Sequence, residues 1–151
     1  MINKLFWKDK KVLITGHTGF KGSWLSLMFL ELGSEVFGLS LEPDNDPNLF
    51  SALNLKNEIG HNIVDIRNTK EIINTVRRIN PDCIFHLAAQ PLVREGYKSP
   101  VYTWETNLNG TINLLESLRL IEKRCSAVIV TTDKVYKENE SIYGYRENDS
   151  L

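Results

Sequence analysis

Three glycines near the start of the chain stand three residues apart, and a lysine comes directly before the last of them. They are Gly16, Gly19 and Gly22, and the lysine is Lys21. Because glycine has no side chain, a ligand or another backbone segment can approach it closely. Between a strand and a helix, such glycines leave backbone N–H groups free to bind a pyrophosphate. The spacing therefore favours a site for the phosphates of a dinucleotide.

The letters of this motif are not specific by themselves. Its spacing is G-x-x-G-x-x-G, which departs from the G-x-G-x-x-G of many dinucleotide sites. The phosphate loop G-x-x-x-x-G-K-[ST] is excluded, because Lys21 precedes Gly22 and no Gly-Lys-Ser/Thr triplet occurs. A glycine-rich turn with a purely structural role stays open as the alternative.

The residues on either side of the glycines predict a strand before them and a helix after them. Lys11–Thr15 is a short apolar run, and from Phe20 apolar residues recur at helical spacing until Gly33. A helix in this position directs its free N–H groups and its positive dipole end at the carboxyl edge of the sheet. An anion is therefore expected over that edge.

Apolar strands and helices alternate along the rest of the chain. Further strands are predicted at 35–39, 59–65, 82–87 and 127–131. Helices are predicted at 49–53, between a cap at Asn68 and the Asn80–Pro81 pair, and at 101–122, the last with Leu108, Ile112, Leu115 and Leu118 inward. Such alternation demands a parallel sheet covered on both faces, with the first strand in the middle. The predicted fold class is α/β, a Rossmann-type doubly wound parallel sheet that stops after about five strands.

Composition and charge narrow the classes of function. The chain has 151 residues, 42% of them hydrophobic and 25% charged, which is ordinary for one soluble domain with a core. Its net charge of -1 argues against nucleic acid or anionic membranes as partners. Without a signal peptide or an apolar run of membrane-spanning length, a cytoplasmic location is expected. Cys83 and Cys125 form no Cys-x-x-Cys pair and are expected to be buried reduced thiols, and no metal site is expected.

Five short motifs, in this order and spacing, resemble the extended short-chain dehydrogenase/reductase family. They are TGHTGFKG at 15–22, DIR at 65–67, HLAAQ at 86–90, TN at 106–107 and TTDK at 131–134. Within that family, GHTGFKGSWL, HLAAQPLVR, TDK and GYREND resemble the nucleotide-sugar 4,6-dehydratases that act on CDP-glucose. The resemblance covers essentially the whole chain. It implies an NAD-dependent lyase of carbohydrate biosynthesis with a nucleotide sugar as substrate, and a homo-oligomer in the full-length form.

The resemblance also implies which residues bind NAD. Asp65 and Ile66 would face the adenine, residues 88–90 would pass beside the ribose and nicotinamide, and Asn107 would brace the active-site backbone. Asp65 has an alternative role as a strand-end turn residue, and Asn107 has one as a solvated amide. The full implied set is Gly16, His17, Gly19, Phe20, Lys21, Gly22, Asp65, Ile66, Ala88, Ala89, Gln90 and Asn107.

The residues expected to contact the adenosine ribose favour NAD over NADP. The acid expected after the second strand is absent at Ser40, but Glu42 follows two residues later, and no arginine is close by to bind a 2′-phosphate. Of the other histidines, His86 is interpreted as structural and His61 as peripheral.

The catalytic residues implied by the resemblance are Thr132, Asp133 and Lys134, directly after the fifth strand. In such dehydratases NAD takes hydride from the sugar C4, water is eliminated across C5 and C6, and the hydride returns to C6. Thr132 would bond the C4 hydroxyl, Asp133 would be the acid for the C6 hydroxyl, and Lys134 would be the base at C5. An exposed ion pair in a loop is the alternative for Asp133 and Lys134.

The family's Tyr-x-x-x-Lys pair is not found. Tyr136 is followed four residues later by Glu140, and Tyr143 by Glu147. We therefore expect residues 1–151 to be an NAD-binding domain that lacks the later strands, the substrate domain and turnover of its own. A stand-alone, non-catalytic dinucleotide-binding module and a related nucleotide-sugar epimerase or dehydratase remain as alternatives.

Overall fold

The fold is built on a parallel sheet whose first strand lies in the middle. The computed structural model describes residues 3–132, 134–140 and 142–151. In these ranges five parallel strands pair in the order β3-β2-β1-β4-β5. They are β1 Lys11–Thr15, β2 Glu35–Ser40, β3 Gly60–Ile63, β4 Cys83–His86 and β5 Ser126–Ile129. This order confirms the predicted α/β, Rossmann-type class.

A short helix precedes β1, and further helices connect the strands on both faces of the sheet. They are α1 Lys4–Trp7, α2 Phe20–Glu31, α3 Leu49–Ala52, α4 Thr69–Ile79, α5 Val93–Lys98, α6 Pro100–Trp104 and α7 Gly110–Arg119. A 3₁₀ turn, Leu55–Asn57, follows α3, and a π-helical segment, Glu105–Asn109, joins α6 to α7. Within the described ranges, none of these helices has the length and apolar character needed to cross a membrane.

The side chains of β1 alternate between two buried cores. Val12 and Ile14 pack with Phe29 of α2 on one face of the sheet. Leu13 packs on the other face with a cluster that includes Val76 of α4 and Leu114 of α7. Because successive strand residues point to opposite faces, this central strand is buried on both sides. The free thiols divide in the same way, since Cys83 packs against the first core and Cys125 against the second.

The predicted cap of α4 is present. The Asn68 side-chain oxygen accepts a hydrogen bond from the Glu71 backbone N–H at 3.3 Å. Ile72, Val76 and Ile79 point into the core, and Asn80 ends the helix in the left-handed conformation with φ of 50°. Local sequence signals are enough to place this helix.

The inward face predicted for the long helix is wrong, although the helix is present from Pro100 to Arg119. Leu108, Ile112 and Leu115 are 48%, 51% and 47% exposed, and of the predicted inward leucines Leu118 alone packs on the core in the described structure. The buried positions are instead Thr106, Gly110, Asn113, Leu114 and Ser117.

The physical reason is a close contact with the loop that follows β3. A Cβ on Gly110 would lie 2.5 Å from Cδ1 of Ile66, and the Asn113 amide donates to the Ile66 carbonyl at 2.9 Å. Small and hydrogen-bonding residues therefore face inward, and an apolar stripe of Leu108, Ile112 and Leu115 faces outward.

Replacing the cap residue tests how α4 is held. We expect Asn68→Ala to lower the free energy of unfolding by about 1 kcal/mol, because the Glu71 N–H loses its acceptor. Urea unfolding followed by circular dichroism measures this loss. Asn74→Ala, at an exposed position inside the same helix, is the matched control and is expected to be neutral or slightly stabilising, since alanine is the better helix former. Equal effects of the two substitutions would contradict the cap.

Candidate functional site

An open cleft of about 720 Å³ lies over the carboxyl ends of the strands. It is next to the point where the strand order reverses, between β1 and β4, which is where open α/β sheets bind ligands. Its lining comes from the glycine loop, from 40–45 after β2, from 64–66 after β3 and from 87–89 after β4, and it includes Tyr102, Thr106, Val130 and Thr131.

The three glycines have different reasons for lacking a side chain. Gly16 has φ of 73°, and a Cβ there would lie 2.9 Å from the Ala88 backbone nitrogen. A Cβ on Gly22 would collide with the carbonyl of Gly16. Gly19 has an ordinary φ of -75°, and the nearest obstacle to a Cβ is the Gly16 oxygen at 3.3 Å. Gly16 and Gly22 are therefore required by the fold, whereas Gly19 leaves space in the cleft.

The amino end of α2 is open to an anion. Its N-cap is Gly19, and no side chain caps the helix. Phe20, Lys21 and Gly22 of its first turn all line the cleft. Uncapped first-turn N–H groups and the positive end of the helix dipole both favour a negatively charged group at this place.

His17 lies beneath the loop and does not line the cleft. Its ring is fully buried, its Nε2 is 2.7 Å from Nδ1 of His61, and it packs edge-on against Phe50. The ring occupies the space that a side chain at Gly38 would need. Burial, and secondarily the neighbouring His61, lowers the pKa of His17 to about 4. In this structure the His17 ring supports the loop from below together with His61, and the expected contact between His17 and a cofactor stays a prediction.

An arginine holds Asp65 at the β3 end of the cleft, and an aromatic ring packs against that arginine. Arg67 donates from Nη2 to Oδ2 of Asp65 at 2.6 Å and stacks over the Tyr102 ring at 4.8 Å. These hydrogen bonds lower the pKa of Asp65. Asp65, Ile66 and Tyr102 all line the cleft. Sequence reasoning missed Tyr102, because an aromatic residue inside a helix carries no local signal of such contact.

The β2 end of the cleft presents a hydroxyl pair and an acid. Thr18 Oγ1 lies 2.9 Å from Ser40 Oγ and donates to the Leu41 carbonyl at 3.1 Å. Glu42 lines the cleft beside them. Among the described side chains that line the cleft, Lys21 is the one cation, and it belongs to the glycine loop.

Asn107 clasps the backbone that follows β4. Its side-chain oxygen accepts from the Gln90 N–H at 2.7 Å, and its amide nitrogen donates to the Gln90 carbonyl at 3.1 Å. The Gln90 side chain is occupied elsewhere, since its Nε2 donates to Thr103 Oγ1 at 2.9 Å. Neither Asn107 nor Gln90 lines the cleft, but Ala88 and Ala89, directly before Gln90, do. The arrangement is a brace for that backbone.

Thr106 is a site residue to which the sequence assigned no role. It is 8% exposed and lines the cleft, and its hydroxyl has no hydrogen-bond partner in the described part of the chain. An unpaired buried hydroxyl is costly unless a ligand or water satisfies it. Thr106 is therefore placed to contact whatever fills the cleft.

The structure describes two of the three residues expected to be catalytic. Thr132 and Lys134 are exposed just beyond β5, and Thr132 Oγ1 accepts from the Lys134 N–H at 3.1 Å. They do not line the cleft, but the preceding residue, Thr131, does. Asp133 lies outside the described residues.

Comparison with known proteins identifies relatives along the whole chain. The family model of GDP-mannose 4,6 dehydratase matches residues 13–151. CDP-glucose 4,6-dehydratase from Salmonella typhimurium is 43% identical over 151 residues, which are 100% of this chain and 42% of that enzyme. The chain therefore spans less than half the length of this relative.

Solved structures share the fold. Pal from Bacillus thuringiensis superposes with a TM-score of 0.82 at 27% identity, over 93% of this chain and 45% of that chain. UDP-glucose 4-epimerase from Thermus thermophilus, solved in complex with NAD, superposes with a TM-score of 0.64 at 32% identity, over 72% of this chain and 33% of that chain.

The buried histidines predict a loss of stability in mild acid. Burial lowers the pKa of His17 and His86 to about 4, so between pH 6.5 and 4 the unfolded chain binds more protons than the folded one. The free energy of unfolding should be fully present above about pH 6.5 and fall by roughly 3 kcal/mol per histidine as the pH approaches 4. Urea unfolding between pH 7.5 and 4.5 measures this.

This pH range separates the effect of the histidines on stability from the effect of the carboxylates. Hydrogen bonds from Arg67 and Lys123 lower the pKa of Asp65 and Asp82, so their contribution is present above the unfolded carboxyl pKa, near 4, and is lost only below it. Stability that stays constant between pH 7 and 5 would contradict the burial of neutral histidines.

Proposed function

Since the chain belongs to the GDP-mannose 4,6 dehydratase family, we propose that it forms the NAD-binding part of a nucleotide-sugar 4,6-dehydratase that converts CDP-glucose to CDP-4-keto-6-deoxyglucose. The observation that carries the proposal is the uncapped amino end of α2 over an open cleft at the sheet's switch point. The choice of CDP-glucose as the substrate rests on the 43% identity to the Salmonella typhimurium enzyme, in an alignment that covers the whole of this chain.

The residues of the cleft fit NAD. Gly19 leaves room where a pyrophosphate would meet the first turn of α2, and Thr106 offers a buried hydroxyl with no partner among the described residues. We assign the phosphates to Gly19 and Lys21, the adenine to Asp65 and Ile66, and the ribose and nicotinamide to the backbone of residues 88–90. When bound, NAD would accept a hydride from the sugar and later return it.

Glu42 supports NAD rather than NADP. Its carboxylate lines the cleft after β2, where an acid can accept a hydrogen bond from a ribose hydroxyl and would repel a 2′-phosphate. The cleft-lining residues that the structure describes include no arginine to bind such a phosphate.

The residues after β5 would carry out the elimination of water. Once C4 is a ketone the proton on C5 is acidic, and Lys134 would remove it while Asp133 protonates the departing C6 hydroxyl. Thr132 would bond the C4 oxygen. The position of Thr131 in the cleft supports this assignment, because Thr131 directly precedes the three residues in the sequence.

The outward stripe of Leu108, Ile112 and Leu115 supports a homo-oligomer. Contiguous exposed apolar side chains on one helix face commonly mark a protein interface, and each of these three side chains is about half exposed. We assign the stripe to contact between copies of the full-length protein.

Gly19→Val tests the phosphate site. The branched side chain would fill the space next to the first turn of α2, so we expect NAD to bind at least about tenfold more weakly, while the ordinary φ at this position preserves the fold. Isothermal calorimetry with NAD gives the affinity, and urea unfolding gives the stability. Gly22→Val is the contrasting variant and should lose stability, because its Cβ collides with the Gly16 carbonyl. Parental NAD affinity in Gly19→Val would refute the loop assignment.

A chimera tests the activity. The matching 42% of the Salmonella typhimurium enzyme is replaced by this chain, and conversion of CDP-glucose is compared with that of GDP-mannose and UDP-glucose. We expect dehydration of CDP-glucose by the chimera and binding of NAD without turnover by the chain alone. Preference for another sugar nucleotide, or epimerised product, would favour a related enzyme, and NAD binding without chemistry in the chimera would favour a non-catalytic module.

In the same chimera, the double substitution Asp133→Asn, Lys134→Ala should block the elimination of water and leave the oxidation at C4 intact. Hydride transfer at C4 does not need these side chains, so the absorbance of reduced cofactor should accumulate without 6-deoxy product. Dehydration at the parental rate would remove both residues from the mechanism.

A further inference from the structure

His86 joins the central strand to the helix that follows the brace residue Asn107. It is the last residue of β4 and is 2% exposed. Its Nδ1 lies 2.7 Å from Thr15 Oγ1, at the end of β1, and its Nε2 lies 3.1 Å from Thr111 Oγ1, in the first turn of α7. The imidazole therefore bridges the carboxyl end of β1 and the first turn of α7, without lining the cleft itself.

The hydrogen bonds around Thr15 fix which nitrogen of His86 carries the proton. Thr15 Oγ1 accepts from the backbone N–H groups of Leu87 and Ala88, each at 3.1 Å. A hydroxyl has two lone pairs and one proton, so Thr15 must donate its proton to Nδ1 of His86. The neutral ring then carries its own proton on Nε2.

The same reasoning continues to the helix. His86 donates from Nε2 to Thr111 Oγ1, and Thr111 donates in turn to the Asn107 carbonyl at 2.7 Å. The Asn107 side chain clasps the Gln90 backbone. One directed chain of hydrogen bonds thus runs from the N–H groups of Leu87 and Ala88, through His86, to Asn107.

Both ends of this chain hold the same short segment. Ala88 is fixed through Thr15, Gln90 is fixed through Asn107, and Ala89 lies between them. Ala88 and Ala89 line the cleft, and under the proposed function they lie beside the nicotinamide ribose.

We propose that His86 is a positioning residue which, as the neutral Nε2–H tautomer, holds the backbone of residues 88–90 in place for the nicotinamide half of the cofactor. The inference rests on the proposed function, because it takes the cleft to be an NAD site. His86 acts through Thr15, Thr111 and Asn107, and it touches neither cofactor nor substrate.

The surroundings of the ring keep it in this form. Burial lowers the pKa of His86 to about 4, with no ionised neighbour contributing among the described residues. A second proton on Nδ1 would face the Thr15 oxygen, whose lone pairs are already taken by two N–H groups. At neutral pH each hydrogen bond of this chain therefore has a fixed donor and a fixed acceptor.

The experiment compares NAD with ADP, which lacks the nicotinamide half, on the 151-residue chain. Thr15→Val and Thr111→Val each remove a hydroxyl and keep the shape of the side chain, so each breaks one link next to His86. We expect NAD to bind about tenfold more weakly in both variants, with ADP affinity unchanged. Thr15→Ser and Thr111→Ser, which keep the hydroxyl, should restore NAD affinity. Thr75→Val is the control for a buried Thr-to-Val change, because Thr75 is a buried threonine of α4 that takes no part in this chain of hydrogen bonds.

A second measurement reads the tautomer directly. Nitrogen-15 NMR of the labelled histidines at pH 7 should show an unprotonated Nδ1 and a protonated Nε2 on His86, and the signals are assigned by their loss in His86→Asn. A protonated Nδ1 would overturn the proposal, as would unchanged NAD affinity in both valine variants, equal losses for NAD and ADP, or failure of the serine variants to restore NAD binding. A parental chain that binds neither nucleotide would instead sink the proposed NAD site, while the NMR result would still decide the tautomer.

Discussion

The site depends on one contact between backbones, the approach of Gly22 in α2 to the carbonyl of Gly16. This contact fixes how near the amino end of the helix comes to the end of β1, and no side chain fits between them. On its other side, Gly16 is pressed against the backbone of Ala88 after β4, with a positive φ. The loop therefore packs closely between the amino end of α2 and the end of β4, and Gly19 lies on the side of the loop that faces the cleft.

Two buried histidines connect this region to neighbouring elements of the fold. His17 reaches away from β4 into a gap left by Gly38 in β2 and contacts His61 in β3. His86 reaches from β4 to Thr111 in α7. Both rings are neutral at physiological pH because burial disfavours their charged form. The cleft is thus supported by polar groups that act as short, directed connectors between strands, rather than by apolar packing alone.

Sequence reasoning succeeded where the signal is local and missed what depends on distant contacts. The strands, the Asn68 cap and the central place of β1 follow from periodicity, capping residues and the handedness of crossovers. The inward face of α7 was predicted wrongly, because Ile66, 44 residues before Gly110, decides it. Thr106 and Tyr102 gain their places in the cleft only through folding, and the roles of Thr132, Asp133 and Lys134 remain predictions drawn from resemblance.

The π-helical segment Glu105–Asn109 has a consequence for how this region tolerates insertions and deletions. A π turn holds one residue more than an α turn, so it sets the angular phase between α6 and α7. Loss of one residue from this segment would let it relax to a regular α turn and leave α7 close to its present orientation, because the π turn already absorbs that extra residue. Gly110 and Asn113 would then keep their contact with Ile66, whereas loss of a residue between them, inside α7, would rotate Asn113 and the rest of the helix away by about 100°. The π segment is therefore a place where this long helix can lose a residue without turning its buried face, and the regular part of α7 is not.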